Sequence, residues 1–124
     1  MNEKMRILLA DDDTEFCARM SAVLDSADDF ELVGIAENGE KALSAVNELR
    51  PDVLIIELML PVMDGIEALK EIRLRTTELP VIMQTAYAFD TDRRTAEEAG
   101  CNGFITKPVM PRELKMYLDK YLTK

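Results

Sequence analysis

A chain of 124 residues that is 48% apolar and 31% charged has the size and composition of one folded domain, residues 1–124, rather than of a disordered segment. Its formal charge of −9 argues against direct nucleic-acid binding, because phosphate contacts need a basic surface, and no apolar run approaches the roughly 18 residues of a membrane span. With no histidine, the chain is neither a phosphohistidine carrier nor a His-based triad enzyme.

The opening residues MNEKMR lead straight into a strand over 6–10, which leaves no room for a signal peptide. Cys17 and Cys101 form no CxxC pair and read as free thiols, which suits a reducing cytoplasm. After the strand comes Asp11-Asp12-Asp13, with Asp13 as N-cap of a helix whose apolar face is Phe16, Met20, Val23, Leu24 and Ala27, closed at Asp28-Asp29. A second strand over 31–36 turns at Asn38-Gly39 into a helix carrying Ala42, Leu43, Val46 and Leu49, stopped at Arg50-Pro51. Val53-Leu-Ile-Ile-Glu57 is a continuous apolar run ending in an acid. Without period-two alternation it suits a strand covered on both faces, as in a parallel sheet. The turn at Asp64-Gly65 starts a third helix with Ile66, Leu69 and Ile72 on one side. Pro80 precedes a fourth strand, residues 81–85; a more polar helix over 90–99 ends at Gly100, a natural C′ position. A fifth strand over 103–106 runs into Lys107-Pro108, and a last helix from about residue 112 carries Leu114, Tyr117, Leu118, Tyr121 and Leu122. Five alternations of strand and helix predict an α/β fold, a five-stranded doubly wound parallel sheet with right-handed crossovers; periodicity alone does not order the strands.

Ligands of such sheets bind at the carboxyl ends of the strands. Here the first strand ends in Asp11-Asp12, the third in Glu57, the fourth in Thr85 and the fifth in Thr106-Lys107. If those strands neighbour one another, three carboxylates, a hydroxyl and an ammonium converge. Two carboxylates ~4 Å apart at an effective dielectric of 20 repel by about 4 kcal/mol, so the cluster calls for a cation. Oxygen-only donors select a hard ion, and few carboxylates with several waters suit Mg²⁺. Lys107 and Thr85 would then contact an anion beside the metal, a set suited to phosphoryl transfer. Taken singly, the same residues read as a charged strand end with a helix cap, a Glu57–Lys107 ion pair and an ordinary strand-end hydroxyl; their joint placement carries the weight.

Over about residues 4–122 these motifs resemble the response-regulator receiver domain of bacterial two-component signalling. ILLADDD resembles its first strand and acidic pair, PDVLIIELMLPVMDG its phosphoacceptor strand and loop, VIMQTA its fourth strand and AGCNGFITKP its fifth. The resemblance implies a flavodoxin-like (βα)5 fold of strand order 2-1-3-4-5. It also implies Mg²⁺ on Asp11, Asp12, Glu57 and the backbone carbonyl of Met59, a switch hydroxyl at Thr85 beside the small Ala86, a switch aromatic at Phe104 and a phosphate-contacting lysine at Lys107. The implied partners are a sensor histidine kinase or phosphotransfer protein. A homodimer face is implied across the fourth helix, fifth strand and fifth helix, where Asp92, Arg93, Arg94, Lys115 and Asp119 bring mixed charge and Tyr87 and Phe89 are expected to pack against the domain.

One departure stands out: the family accepts phosphate on aspartate, and this chain has Glu57. The added carbon moves the carboxylate outward by roughly 1.5 Å, so phosphotransfer is expected to be weak or absent, and the glutamate either partly mimics phospho-aspartate or disables the switch. A rival reading is a Mg²⁺-dependent haloacid-dehalogenase-type phosphohydrolase, which resembles this chain in an Asp-x-Asp pair, Asp11 and Asp13, and would be phosphorylated on Asp11; Glu15 departs from its pattern. A flavin-binding flavodoxin is excluded by three aspartates where a phosphate cradle is needed.

Overall fold

The computed structural model describes residues 4–86 and 89–121. Ten elements alternate along the chain: β1 (Met5–Ala10), α1 (Thr14–Asp25), β2 (Phe30–Ala36), α2 (Gly39–Leu49), β3 (Val53–Glu57), α3 (Gly65–Arg75), β4 (Val81–Thr85), α4 (Asp90–Ala99), β5 (Gly103–Thr106) and α5 (Pro111–Asp119). The five strands form one parallel sheet in the order 2-1-3-4-5, as the resemblance implies. Both faces are covered, which is why β3 and β4 are buried at every residue and open with the apolar runs 53–56 and 81–83.

Strand alternation divides the core into two layers. Ile7, Leu9, Val53, Ile55, Ile82 and Ile105 pack under α1 and α5 with Phe16, Met20, Leu24, Leu114 and Leu118. Leu8, Ala10, Leu54, Ile56, Met83 and Phe104 pack on the other side with Ala42, Ala68, Leu69, Ile72 and Ala96. A polar residue one step beyond the first series therefore emerges beside α1 and α5, which is the parity of Asp11, Glu57 and Lys107.

Caps set where the helices start. Asp13 Oδ1 accepts from the backbone N–H groups of Glu15 and Phe16, Asn38 caps α2 through Lys41 N, and Asp64 caps α3 through Glu67 N. Gly65 has a steric reason as well: a Cβ there would lie 2.4 Å from the carbonyl oxygen of Glu57, so a side chain would push the β3–α3 connection off the strand end. At the other end of α3, Arg73 donates to the Gly100 carbonyl at 2.8 and 3.0 Å and to Asn102 Oδ1 at 2.9 Å. That clamp fixes the α4–β5 turn and hence the approach of β5 to the sheet.

Several boundaries differ from the sequence expectation. Helix α1 stops at Asp25, three residues before Asp28-Asp29, with Ser26 as its C-cap. Helix α5 starts at Pro111, a favoured first-turn position for proline, and ends at Asp119. Tyr121 therefore lies past the helix, and Leu122 lies outside the described residues. The Lys107–Pro108 peptide is cis. Both cysteines are free, Cys17 buried and Cys101 half-buried. Among the described residues no helix is long and apolar enough to cross a membrane.

Candidate functional site

Register brings the strand ends together. Ala10 pairs with Ile56, Glu57 with Gln84 and Thr85 with Thr106, so Asp11, Glu57, Gln84, Thr85 and Lys107 share one rim. Asp11 is 2% exposed, Glu57 6%, and Gln84 and Thr85 are fully buried.

The centre of the rim is Lys107. Its Nζ lies 2.7 Å from Asp11 Oδ2 and 2.7 Å from Glu57 Oε1, and 4.1 Å from the centroid of the Phe16 ring, an additional favourable contact for a cation. The remaining acceptors are also engaged. Asp11 Oδ1 takes the N–H of Asp13 at 2.9 Å, and Oδ2 takes Gln84 Nε2 at 3.1 Å as well as the lysine. Glu57 Oε2 takes the N–H of Met59 at 3.0 Å. Burial by itself would push the Lys107 ammonium down. The hydrogen bonds to Asp11 and Glu57, together with their charges, outweigh burial, and its pKa is raised. The lysine is thus an internal counter-ion for two buried carboxylates.

The sequence-derived residues are gathered unequally. Asp11, Glu57 and Lys107 are in direct contact, and Thr85 is buried at the end of β4, where its carbonyl accepts the N–H of Lys107 at 2.9 Å. Asp12 is exposed and turned to the rim of a groove of about 570 Å³ lined by Asp11, Asp12, Thr14, Cys17, Ile35, Glu37 and Lys41. Met59 presents its N–H to Glu57. Phe104 is buried in the α2–α4 layer, with the Arg93 guanidinium 5.5 Å from its ring centroid. The charges on the expected dimer face engage neighbours within their own helices, Lys115 with Asp119 at 2.9 Å and Arg93 with Glu97 at 3.9 Å. Phe89, expected to pack against the domain, is instead 66% exposed; Tyr87 lies outside the described residues.

Gln84 was not singled out from the sequence. The available signal was an amide in the otherwise apolar VIMQT strand, on the parity of Ile82 and hence on the Asp11 face. Its Oε1 is buried without a hydrogen-bond partner among the described residues.

The rim's donor chemistry fits a hard cation: carboxylate oxygens from Asp11, Asp12 and Glu57, with an orphaned amide oxygen beside them. As the side chains stand, no three acidic or thiol groups among the described residues are close enough to enclose an ion. Lys107 lies between two of the carboxylates and Asp12 faces outward. A bound ion would have to draw Asp12 in and displace the ammonium.

Cys17 borders this rim, its thiol donating to the Asp11 carbonyl at 3.5 Å. Burial first, then the charges of Asp11 and Asp13, push its pKa up to about 11. In native protein at pH 8, Cys17 should alkylate with iodoacetamide about a hundredfold or more slower than after unfolding in urea. Peptide mass spectrometry showing equal rates in the two states would contradict this environment.

Fold and rim together define a class, the doubly wound α/β domains that keep their chemistry at the carboxyl ends of a parallel sheet. Comparison with known proteins is more specific: residues 7–119 match the response regulator receiver domain, and the chain belongs to that family. It is 33% identical over 122 residues to the protein-glutamate methylesterase/protein-glutamine glutaminase of Methanococcoides burtonii, covering 97% of this chain and 34% of that protein. It is 37% identical over 111 residues to the DNA-binding response regulator MtrA of Mycobacterium tuberculosis, covering 90% and 47%. The receiver domain of the response regulator NarL from M. tuberculosis superposes with a TM-score of 0.90 at 27% identity, covering 96% of this chain and 97% of that one. The chain thus spans from a third to a half of the length of these two curated relatives.

Proposed function

We propose that this chain is a receiver module of a two-component pathway in which Glu57 stands at the phosphoacceptor position, so that the domain is deficient in phosphorylation and partly mimics the phosphorylated state. The observation that carries this reading is the capping of Glu57 at both oxygens, by Lys107 Nζ at 2.7 Å and Met59 N at 3.0 Å. A nucleophile must present a free lone pair in line with the phosphodonor, and a displacement of ~1 Å can cost about a hundredfold. Glu57 already spends its charge on the lysine that would otherwise contact a phosphoryl group. The mimicry is incomplete because a carboxylate carries one negative charge where a phosphoryl group carries nearly two. The buried position of Phe104 supports a bias toward the switched arrangement, in which the aromatic ring fills space beside Thr85.

Asp11, Asp12, Glu57 and the Met59 carbonyl would hold Mg²⁺, which when bound neutralises the carboxylates and the incoming phosphodonor. Lys107 and Thr85 provide a cation and a hydroxyl for an anion at the same place. The partner is a sensor histidine kinase or a phosphotransfer protein of a cytoplasmic pathway, and the α4–β5–α5 face is the candidate self-association surface. A phosphohydrolase working through Asp11 is disfavoured, because both Asp11 oxygens are occupied and Oδ2 is paired with Lys107. The test is incubation of the wild-type chain with acetyl phosphate and Mg²⁺, followed by intact-mass and peptide mass spectrometry. The expected result is no stable acyl phosphate on Glu57; a stoichiometric adduct there would refute the proposal, and one on Asp11 would favour the hydrolase.

A further inference from the structure

Gln84 is the polar side chain of the rim that neither the ion pairs nor the switch residues account for. It is fully buried, in register with Glu57 across the β3–β4 ladder, and its Nε2 donates to Asp11 Oδ2 at 3.1 Å. The amide orientation follows from that contact, because the reverse rotamer would set a carbonyl against a carboxylate oxygen. The donor half of the amide is therefore in use, and Oε1 is left buried with no partner among the described residues. Buried acceptors are nearly always satisfied, so an orphan inside a charged site calls for a ligand that brings a donor. An apolar residue of similar volume would fill the same space beside Ile82 and Ile105 without that cost.

Two groups share Asp11 Oδ2, and they differ in freedom. Lys107 ends a flexible chain and has Glu57 as an alternative partner at the same distance. Gln84 is fully buried on β4, in register with Glu57, and has less freedom to withdraw. A cation arriving at Asp11 from the groove that borders it would displace the ammonium and leave the amide in place. Hydrogen bonds that orient a ligating carboxylate typically contribute 10–100-fold to metal affinity. The waters of a hydrated divalent ion would supply the donor that Oε1 lacks.

We infer that Gln84 is a positioning residue for a hydrated divalent cation at this rim: it orients Asp11 through Nε2 and accepts from a metal-bound water through Oε1. The inference rests on the cation reading proposed above. It is tested by isothermal titration calorimetry with Mg²⁺ on the wild-type chain and on Gln84→Met. The expected result is about tenfold or more weaker Mg²⁺ binding by Gln84→Met, with a cation-free Tm equal to or above that of the wild type because the orphaned acceptor is gone. Affinity within twofold of wild type, or tighter, overturns the inference alone. A wild-type chain that takes up no Mg²⁺ overturns it together with the cation reading. A measurement without any variant decides the case in which Gln84→Met fails to fold: the Gln84 side-chain amide resonances of the wild-type chain should shift saturably on Mg²⁺ titration, and resonances that stay in place overturn the inference.

Discussion

Replacing Glu57 by Asp should raise labelling by acetyl phosphate in Mg²⁺ by about a hundredfold or more. The physical change is one carbon–carbon bond, roughly 1.5 Å. In the wild-type chain that length carries the carboxylate to Lys107 Nζ at 2.7 Å and lets its second oxygen take the Met59 N–H. A shorter side chain from the same strand position retracts the carboxylate from the ammonium. Lys107 then keeps Asp11 as its partner, also at 2.7 Å, and space opens between the acid and the lysine where a phosphoryl group fits. Labelling should depend on Mg²⁺ and disappear in Glu57→Asp/Lys107→Ala. Equal labelling of wild type and Glu57→Asp would show that the extra carbon does not govern the site. No labelling of Glu57→Asp at any Mg²⁺ concentration would show that the rim is not a phosphoryl pocket at all.

The second large effect is on stability. Lys107→Met should lower the unfolding free energy at pH 7 by about 3–5 kcal/mol, the usual cost of leaving a buried charge without its partner. For a domain of this size that is on the order of 10–20 °C in Tm. The magnitude follows from burial: the side chains of Asp11 and Glu57 are 1% and 7% exposed and that of Lys107 is 15% exposed, so solvent screening of the kind that weakens surface pairs does not apply. The Lys107 pKa is raised in the folded state. Its contribution is therefore fully present below the ordinary lysine value of about 10.5 and is lost as pH rises through the higher folded value. Wild type and Lys107→Met should accordingly differ by a constant amount across neutral pH and converge in strong alkali. Adding Glu57→Gln to Lys107→Met removes one orphaned charge and should recover part of the loss. Urea denaturation is the measurement; a difference below about 1 kcal/mol at pH 7 would mean that the pair behaves as an exposed one.

The glutamate therefore has two consequences that separate experimentally. On the function proposed above it withholds the acceptor from phosphodonors, and it supplies one of the three members of an ion cluster that ties β1, β3 and the chain leaving β5 together. Glu57→Asp should relieve the first with little loss of the second, since Asp11 alone still holds the lysine. Loss of Lys107 instead breaks the cluster and takes away the cation that a phosphoryl group would contact.

Much of this was determined by the sequence alone. Unbroken apolar runs at 53–56 and 81–83 predict strands buried on both faces because only a covered parallel sheet removes both sides of a strand from water. Asp13, Asn38 and Gly100 announce helix ends because their chemistry is local. Asp11 and Glu57 were recognisable because each is the first polar residue after an apolar run, and Thr85 and Lys107 because each follows such a run within two residues. What only the tertiary structure decided are matters of register and competition between donors. Asp12 is adjacent to Asp11 in sequence yet is exposed, since β1 ends at Ala10 and the bend that follows leaves Asp12 on the open rim of the groove. Phe89 is left on the surface and Tyr121 outside α5, because neither burial nor helix length is decided within a few residues. Lys107 takes the centre of the rim and Gln84 becomes a partner of Asp11 only once β4 is laid beside β3, the amide and the carboxylate being 73 positions apart in the chain. Local sequence carries the periodicity that makes an element; long-range pairing decides which side chains face one another.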